Sequence, residues 1–568
     1  MEESVCHKML TKKAYINYFK TKKSLFVIAV TGILFVFLEV RFSINFLSYS
    51  DSGDAFEFLR STLGLFYLLF TGVLLISYFF FYGLAFSKLH IMVSANDFTK
   101  IRRTYYWVLM SAVLMFYLIT TFWVLVIIGK AIGYHKEMVA CIFKVSTIYF
   151  GLGLVLAVKI GEVCAFFKNK IHAIIVLLFS ILLSSPVLES FSQISISDSS
   201  VMYDVVRWFQ FAPRNTQTMV YSICGISSHW TRGAVTVMWI MITELVFTSV
   251  VKKYSKCRFL LCLSITLVCA IGYTNAPWFG DEMPNAKTYP SDHCFFYYEK
   301  HKQMEEKEDF HITAYDMDFT MNNYLKAKVE VTINALSNEK ESYAFTLHHQ
   351  YCVDSIQNAY GEELDYKEEG DIIWIDGRKI TDKIIFFYHG NAAGAYANSE
   401  WSTLQSEFCF YPMAGKKKLY DESSNTYSVL NLQDKIHFKV HVKTNQKMYC
   451  NLPSTARNTF EGISTNITLR SGYLKQVTYR DVTIIYPCYS PKALIKEATL
   501  KKSIDELYQI LGDFAKGKLI FADQQYAGPT CLFYEDYMEL SSLGVSPSII
   551  QNHYEYYIEN GKNGFVLQ

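Results

Sequence analysis

Long apolar runs fill the first half of the chain, while alternating polar and apolar positions fill most of the second half. A helix that crosses a bilayer needs roughly 20 predominantly apolar residues. The run at 259–278 has no charged residue and directly follows a basic segment, so it is the clearest predicted span. The predicted spans, in chain order, are 24–46, 61–86, 104–129, 141–167, 172–188, 234–251 and 259–278.

Basic residues concentrate in every second loop between these spans. Lys and Arg collect on the cytoplasmic side of membrane helices, so this distribution predicts a cytoplasmic N-terminus, seven crossings and an external C-terminal half. The basic segment 1–23 is expected to be an interfacial amphipathic helix, with a solvated tail as the alternative. The predicted inner loops carry Lys88, Lys100, Arg102 and Arg103, then Lys168 and Lys170, then Lys252, Lys253, Lys256 and Arg258.

A few ionisable residues fall within the spans, where charge is costly. Lys159 and Glu162 are three residues apart on one helix and can pair, which favours a structural role over a transport site. Glu244 lies in the middle of a span without a local partner, and its functional interpretation is a polar spot at a subunit or substrate interface. Glu39 and Arg41 lie near the outer end of their span and are expected at the interface.

From residue 311 the pattern alternates with period two, which is typical of half-buried strands. Many short strands separated by Gly, Asn, Asp and Pro predict a mainly β domain, a sandwich or saddle. A helix at 499–514, capped by Thr499, and a strand at 518–522 then predict a small α/β piece. The predicted strands are 326–334, 342–347, 372–375, 384–388, 435–442, 466–469 and 478–486.

Net charge and the positions of histidines and cysteines limit the partners and reactions that the sequence predicts. The formal net charge is only +2, so a nucleic-acid partner is not indicated. The histidine pairs His348/His349 and His437/His441 are expected to be structural, because a strand points adjacent residues to opposite faces and no third ligand accompanies the second pair. No metal ligand and no catalytic residue is therefore predicted.

Six cysteines fall in the external half, as disulfides or as buried thiols: Cys294, Cys352, Cys409, Cys450, Cys488 and Cys531.

The order of spans and loops in residues 1–250 resembles the permease subunit of type-2 ABC exporters. In that family an inner loop, here 87–103 (SKLHIMVSANDFTKIRR), forms a coupling helix on a separate ATPase, and a long outer segment, here 189–232, forms re-entrant helices. The resemblance implies ABC ATPase subunits and a second permease, identical or sister, as partners. The residues expected to contact the ATPase are His90, Asn96, Asp97, Lys100, Arg102 and Arg103.

ATP and magnesium are expected on the partner ATPase and no cofactor on this chain. A phosphate-binding loop has the pattern GxxxxGK[ST]. The stretch 512–519 comes near to it, but Leu519 cannot coordinate magnesium, and the element order around it is reversed.

Residues 311–490 resemble the N-terminal β-domain of gluzincin zinc aminopeptidases. The likeness rests on YHG at 388–390, LQSEFCFYP at 404–412, NLP at 451–453, FEG at 460–462 and LRSG at 469–472. The zinc motif HExxH occurs nowhere in the sequence. YAGPTC at 526–531 stands near the place of the family's substrate-amine motif and lacks its glutamate. The resemblance therefore implies a truncated, inactive peptidase-like domain.

The predicted fold is a membrane α-helical bundle, six permease spans plus a seventh, followed by an extracellular mainly β domain with a small α/β C-terminal piece. The predicted function is a plasma-membrane permease of an ATP-driven exporter for a peptide of bacteriocin or antimicrobial type, or for immunity to one. The alternatives are the membrane-anchored half of a split zinc aminopeptidase and a non-transporting peptide sensor. The predicted domains are 1–23 (cytoplasmic N-terminus), 24–251 (six-span permease), 252–278 (seventh span), 279–310 (stalk), 311–495 (β-domain) and 496–568 (truncated α/β segment).

Overall fold

The computed structural model divides into two units. The first unit comprises Met1–Gln217 and Ile226–Ala276 and is built of helices. The second unit comprises Thr218–Gly225 and Pro277–Gln568. The structure describes residues 22–48, 55–86, 95–133, 136–185, 208–209, 230–251, 256–274, 306, 310–322, 324–334, 341–392, 395–406, 408–421, 426–430, 434–488, 492–523 and 530–563.

The helices of the first unit follow the apolar runs. A π-helical segment, Thr147–Gly153, joins α5 (Lys136–Ser146) to α6 (Leu154–Phe166), so these two form one continuous rod. Segments of this kind occur within α-helices, frequently at functional sites. The helices are α1 (Lys22–Ser48), α2 (Ala55–Gly64), α3 (Phe66–Phe86), α4 (Ala95–Ile132), α5 (Lys136–Ser146), α6 (Leu154–Phe166), α7 (Lys170–Leu183), α8 (Trp230–Val251) and α9 (Lys256–Thr274).

Six stretches of these helices are long and apolar enough to cross a membrane, and they match six of the seven predicted spans. The fifth predicted span, 172–188, is a shorter apolar helix, α7, of 14 residues. At 1.5 Å per residue it extends about 21 Å, less than the roughly 30 Å of a hydrocarbon core. The six stretches are Ala29–Ser48, Ser61–Phe86, Lys100–Ala131, Met138–Phe166, Arg232–Val251 and Lys256–Thr274.

Small residues let the helices of this unit approach closely. A Cβ placed on Gly161 of α6 would lie 2.6 Å from the Leu74 carbonyl oxygen of α3. Beside it, the Ser77 hydroxyl donates to the Val158 carbonyl at 2.7 Å, so the two helices are also joined by a hydrogen bond. Small interface residues of this kind are typical of helix packing in membranes.

The second unit is built mainly of strands, as the period-two pattern predicts. The strands are β1 His311–Met321, β2 Leu325–Asn334, β3 Ser342–Thr346, β4 Tyr351–Asn358, β5 Tyr366–Glu369, β6 Ile372–Asp376, β7 Lys383–Gly390, β8 Ala395–Ala397, β9 Ser402–Leu404, β10 Met413–Ala414, β11 Tyr420–Asp421, β12 Thr426–Tyr427, β13 Ile436–Lys443, β14 Tyr449–Cys450, β15 Ser454–Ala456, β16 Thr459–Ser464, β17 Leu469–Ser471, β18 Leu474–Tyr479, β19 Val482–Pro487, β20 Leu519–Phe521, β21 Cys531–Phe533 and β22 Tyr537–Leu540.

In β2 the residues alternate between buried and more exposed along the strand, with the buried side in the main core. The strand orders are β15-β16-β13-β1-β2-β7-β4, β10-β3-β6-β5, β14-β17-β9-β8, β11-β12 and β18-β19-β20-β22-β21, with β1 parallel to β13 and β20 parallel to both β19 and β22.

A helical layer covers one face of the five-stranded sheet. It consists of α10 (Lys492–Ile495), α11 (Glu497–Leu511) and α12 (Pro547–Asn560). Ile504, Leu507 and Leu511 of α11 share a core with this sheet, and the helix itself confirms the one predicted at 499–514. Helix α11 begins two residues before Thr499, so Thr499 is not its cap.

Two details of this unit differ from the sequence prediction. The predicted strand 478–486 is a hairpin, because the chain turns between β18 and β19 at Arg480, whose φ is +54°. These two strands belong to the same sheet as β20, β21 and β22. The α/β piece therefore begins near residue 474, and the predicted boundary at 495 cuts through its sheet.

Candidate functional site

Five charged side chains meet inside the helical unit. They come from four different helices: Arg102 from α4, Lys159 and Glu162 from α6, Glu244 from α8 and Arg258 from α9. The first four are buried, with side-chain exposures of 10% or less, and Arg258 is 46% exposed. We call this set the ion cluster.

The Arg102 guanidinium is the centre of the ion cluster. Its Nε and Nη2 donate to the two carboxylate oxygens of Glu162 at 2.5 and 2.9 Å. Its Nη1 and Nη2 donate to the two oxygens of Glu244 at 3.1 and 2.9 Å. One guanidinium therefore binds two carboxylates in a forked geometry, which only an arginine provides.

Lys159 and Arg258 complete the coordination of Glu244. The Lys159 ammonium lies 2.7 Å from Glu244 Oε2 and 3.4 Å from Glu162 Oε2, and the second contact confirms the predicted pair on α6. Arg258 Nη2 lies 2.8 Å from Glu244 Oε1. Glu244 has no local partner along its own helix, as the sequence indicated, and its partners come instead from α4, α6 and α9.

Aromatic rings enclose the cations. The Arg102 guanidinium carbon lies 3.7 Å from the centroid of the Phe247 ring, and Lys159 Nζ lies 4.3 Å from that of Tyr106. Cations over aromatic faces gain further stabilisation when water is excluded. The ring of Phe166 packs edge-on against Phe247 at 5.3 Å. Each buried charge of the ion cluster thus contacts an opposite charge, and aromatic rings cover the cations Arg102 and Lys159.

Such an arrangement fixes helices rather than performing chemistry. Removing charges from water is costly, and mutual attraction offsets the cost only with good geometry and satisfied hydrogen bonds. Glu162 and Glu244 each contact Arg102 and Lys159, so displacement of any one of α4, α6 or α8 would separate opposite charges. The ion cluster therefore specifies the relative positions of three helices.

The ion cluster also defines the directions of these helices. Arg102 and Arg258 lie near the first residues of α4 and α9, whereas Glu162 and Glu244 lie nearer the last residues of α6 and α8. Because these side chains are in contact, α4 and α9 start at the end of the unit where α6 and α8 finish. That same end carries the basic loops of the sequence.

The residues predicted to contact an ATPase divide into three groups. Lys100 and Arg103 are exposed on α4, as such a contact requires. Arg102 is 7% exposed and lies inside the bundle, because helix α4 continues through this position and turns it towards α6 and α8. Asn96 and Asp97 lie in the first turn of α4, with side chains outside the described residues, and His90 also lies outside them.

A second buried carboxylate lies elsewhere in the helical unit. Glu39 of α1 is 5% exposed, and its Oε1 accepts a hydrogen bond from the Thr62 hydroxyl at 3.1 Å. The Glu39 carboxylate is therefore packed within the helical unit and does not extend into solvent. Thr62 lies in the last turn of α2, and its hydroxyl is a polar partner for this carboxylate inside the unit.

The second unit contains its own buried charge network. Arg470 of β17 contacts Asp523 Oδ2 at 3.3 Å and Glu539 Oε2 at 3.2 Å, and all three side chains have no exposed surface. The Thr468 hydroxyl donates to Glu539 at 2.5 Å. Burial, with a smaller contribution from the Glu539 charge, raises the pKa of Asp523 to about 6 despite the nearby guanidinium. This network joins two sheets, and only the LRSG stretch in the sequence pointed towards it.

The histidine pairs differ from each other in structure. His437 and His441 lie on β13 and contact Glu461 and Thr459 respectively, in keeping with a structural role. His348 and His349 follow β3 in a turn, not in a strand, and their rings stack with centroids 4.4 Å apart. The expectation that they point to opposite faces is wrong, and together with Asp371 they form the group suited to a metal ion among the described residues.

The cysteines of the second unit are thiols wherever the structure describes them. Cys352 is exposed, and Cys409, Cys450, Cys488 and Cys531 are buried. Burial raises the pKa of Cys450 and Cys531 to about 12, which keeps both thiols protonated at neutral pH. The remaining one, Cys294, lies outside the described residues.

Comparison with solved structures finds zinc aminopeptidases and related hydrolases. An M1 zinc metallopeptidase from Deinococcus radiodurans is 14% identical with a TM-score of 0.32, and the match covers 44% of this chain and 64% of that one. Yeast LTA4 hydrolase in complex with bestatin is 11% identical with a TM-score of 0.31, over 45% and 44% of the two chains. The chain thus spans less than two thirds of either structure. No family model and no curated protein sequence matches the chain.

Proposed function

We propose that the chain is the permease subunit of an ATP-driven exporter of type-2 ABC architecture, with a peptide as cargo or as the agent of immunity. The helical unit would form half of a two-permease membrane domain over two ATPase subunits. The second unit would be an extracellular, catalytically inactive peptidase-like domain that binds or guides the peptide. The observation that carries the proposal is the ion cluster, because its Arg102 lies both in the predicted coupling segment 87–103 and near the start of α4.

The helix directions support an odd number of crossings. Helices α6 and α8 both finish at the end of the unit that holds the ion cluster. Helix α8 therefore starts at the end opposite to the one where α6 finishes, and α7 lies between them along the chain. If the basic end is cytoplasmic, α9 starts inside and leads the chain to the exterior.

The position of Arg102 supports a role in coupling. Lys100 and Arg103 are exposed on the same turn of α4, whereas Arg102 points inwards to Glu162 and Glu244. A partner that moves the start of α4 would therefore pull directly on α6 and α8. Such a link would convert an ATP-driven movement of α4 into a rearrangement of α6 and α8.

The second unit favours a peptide as the cargo. Residues 311–490 resemble the β-domain that precedes the catalytic domain of zinc aminopeptidases, while HExxH is missing from the sequence. A peptidase-derived domain without its zinc motif is suited to binding peptides without cleaving them. This inference about cargo is an analogy with the resembling family.

Co-purification from the host followed by reconstitution tests the proposal. We expect an ATPase to be recovered with the wild-type chain, and Arg103→Glu together with Lys100→Glu to reduce its recovery. Arg102→Gln should instead leave the ATPase bound and abolish peptide-stimulated ATP hydrolysis and vesicle transport. Arg378→Glu, an exposed change in the second unit, is the control.

Each alternative gives a different result in that experiment. A split aminopeptidase would be recovered with a zinc-containing chain and would cleave aminoacyl substrates. A sensor would stimulate ATP hydrolysis with peptide but move none into vesicles. Recovery of the intact membrane complex without any ATPase would contradict the proposal.

A further inference from the structure

Two adjacent imidazoles and one carboxylate meet at the end of the β10-β3-β6-β5 sheet. His348 is 1% exposed, and the side chains of His349 and Asp371 are 12% and 4% exposed. Their ligand atoms all lie within 4.8 Å of one another. The group belongs to the second unit and has no part in the function proposed above.

The register of two strands brings these residues together. Strands β3 and β6 are antiparallel and paired up to Thr346 and Ile372. The next backbone hydrogen bond runs from the Leu347 amide to the Asp371 carbonyl at 2.9 Å, so the chain segments stay adjacent beyond the last paired residues. Asp371 stands in the turn between β5 and β6, next to Gly370, whose φ of +65° a turn of this kind requires.

Backbone contacts hold the two histidines in place. The His348 amide donates to the Cys409 carbonyl at 3.2 Å, and the His348 carbonyl accepts from the Tyr351 amide at 3.0 Å. The His349 amide donates to Asp371 Oδ1 at 2.9 Å, and His349 Nδ1 lies 2.8 Å from the same oxygen. The imidazoles and the carboxylate are thus oriented by the main chain before any ligand arrives.

We propose that His348, His349 and Asp371 bind a divalent transition-metal ion of the zinc class. Zinc bonds to imidazole nitrogen and carboxylate oxygen are about 2.0–2.2 Å long, so a bound ion would draw the ligand atoms to roughly 3 Å from one another. Two imidazoles and one carboxylate are a donor set that suits zinc, copper or nickel better than calcium or magnesium. The ion would tie the segment after β3 to the turn before β6.

A structural His–Asp hydrogen bond is the simpler interpretation, and the same unit offers a comparison for it. His389 Nδ1 lies 2.8 Å from Asp354 Oδ1, with the same geometry as His349 and Asp371, on the neighbouring strands β7 and β4. That pair is not among the groups suited to a metal ion in the described residues, since it lacks a second imidazole. His389→Gln is therefore a matched control.

Metal titration of the full-length protein in detergent, after treatment with a chelator, tests the proposal. The probes are Zn²⁺, in competition with a chromophoric chelator, and Co²⁺, followed by its visible absorption. We expect Asp371→Asn and His349→Gln to remove one bound equivalent or to raise its Kd by about tenfold or more, while His389→Gln changes neither. Equal stoichiometry and affinity in all four proteins would overturn the proposal.

A second measurement on the wild-type protein avoids any effect of substitution on folding. Hydrogen exchange at amides 347–350 and 370–372 should slow on addition of Zn²⁺, because a bound ion would hold the two segments together. The amides of β4 and β7 around His389 should be unaffected. Unchanged exchange at 347–350 in saturating Zn²⁺ would also overturn the proposal.

Discussion

Arg102 donates hydrogen bonds of 3.1 and 2.9 Å to both carboxylate oxygens of Glu244, a residue 142 positions further along the chain. The contact joins the start of α4 to the last third of α8. It therefore establishes both the packing of the two helices and their opposite directions. Each end of the contact is buried, so neither side chain has water as an alternative partner.

Removal of the central guanidinium should destabilise the helical unit. Arg102→Gln leaves Glu162 and Glu244 buried with Lys159 as their shared inner cation, and loss of one partner of a buried ion pair costs on the order of 3–5 kcal/mol. We expect a clear fall in the thermal unfolding temperature of the purified protein in detergent. Arg103→Gln, one position away and exposed, should have little effect.

The contribution of Arg102 to thermal stability should depend on the geometry of its guanidinium and not on its charge alone. Arg102→Lys keeps the positive charge but cannot donate to both carboxylates in a forked geometry. We expect its unfolding temperature to lie between those of the wild type and Arg102→Gln. A value equal to that of the wild type would show that the fork contributes nothing.

The close contact of α3 and α6 should be sensitive to a single methyl group. Gly161→Ala places a Cβ 2.6 Å from the Leu74 carbonyl oxygen, so the helices must separate, at a cost of about 1–3 kcal/mol. Gly83→Ala, on α3 with no atom within 4 Å of the new Cβ, is the control. Thermal unfolding of both variants checks the prediction, and equal unfolding temperatures would contradict the packing described here.

The five-stranded sheet should be more stable in mild acid than at neutral pH. Burial raises the pKa of Asp523 to about 6, above its ordinary value of 3.8, so the folded state holds the proton more tightly than the unfolded state. Stability from this group is full below pH 4 and is lost as the pH rises towards 6, with a total on the order of 3 kcal/mol.

Hydrogen exchange of β20 and β22 between pH 4 and 7, corrected for intrinsic rates, checks this pH dependence. Asp523→Asn should remove most of it, because the amide does not titrate. A substitution at an exposed carboxylate, Asp354→Asn, should preserve the wild-type profile. An identical pH profile in wild type and Asp523→Asn would contradict the assignment.

Sequence patterns predicted elements well where one physical requirement dominated. Apolar length alone located six membrane-competent helices, and the period of two located β2, β7 and β13 nearly to the residue. The prediction failed at Arg480, because a tight hairpin between two apolar strands leaves the alternation almost unbroken. Helix α12 was not predicted, because it carries many aromatic and polar residues and packs only two fully buried side chains.

In the candidate site, sequence patterns could not predict contacts between residues that are distant in sequence. The pair of Lys159 and Glu162 was predictable because both residues lie on one helix at a spacing of three. The partners of Glu244 were not, because they come from helices far apart in sequence and the folded packing alone brings them together. The same applies to Asp371, which meets His348 and His349 only through the register of β3 and β6.

The proposed function requires that the first residues of α4 and α9 and the second unit lie on opposite sides of the membrane. Two exposed cysteines report on this: Cys257 beside the cluster and Cys352 on the second unit. Intact cells are treated with a membrane-impermeant maleimide, and the labelled peptides are identified by mass spectrometry. We predict that Cys352 is labelled in intact cells and Cys257 only after permeabilisation. Labelling of Cys257 in intact cells with protection of Cys352 would contradict the account.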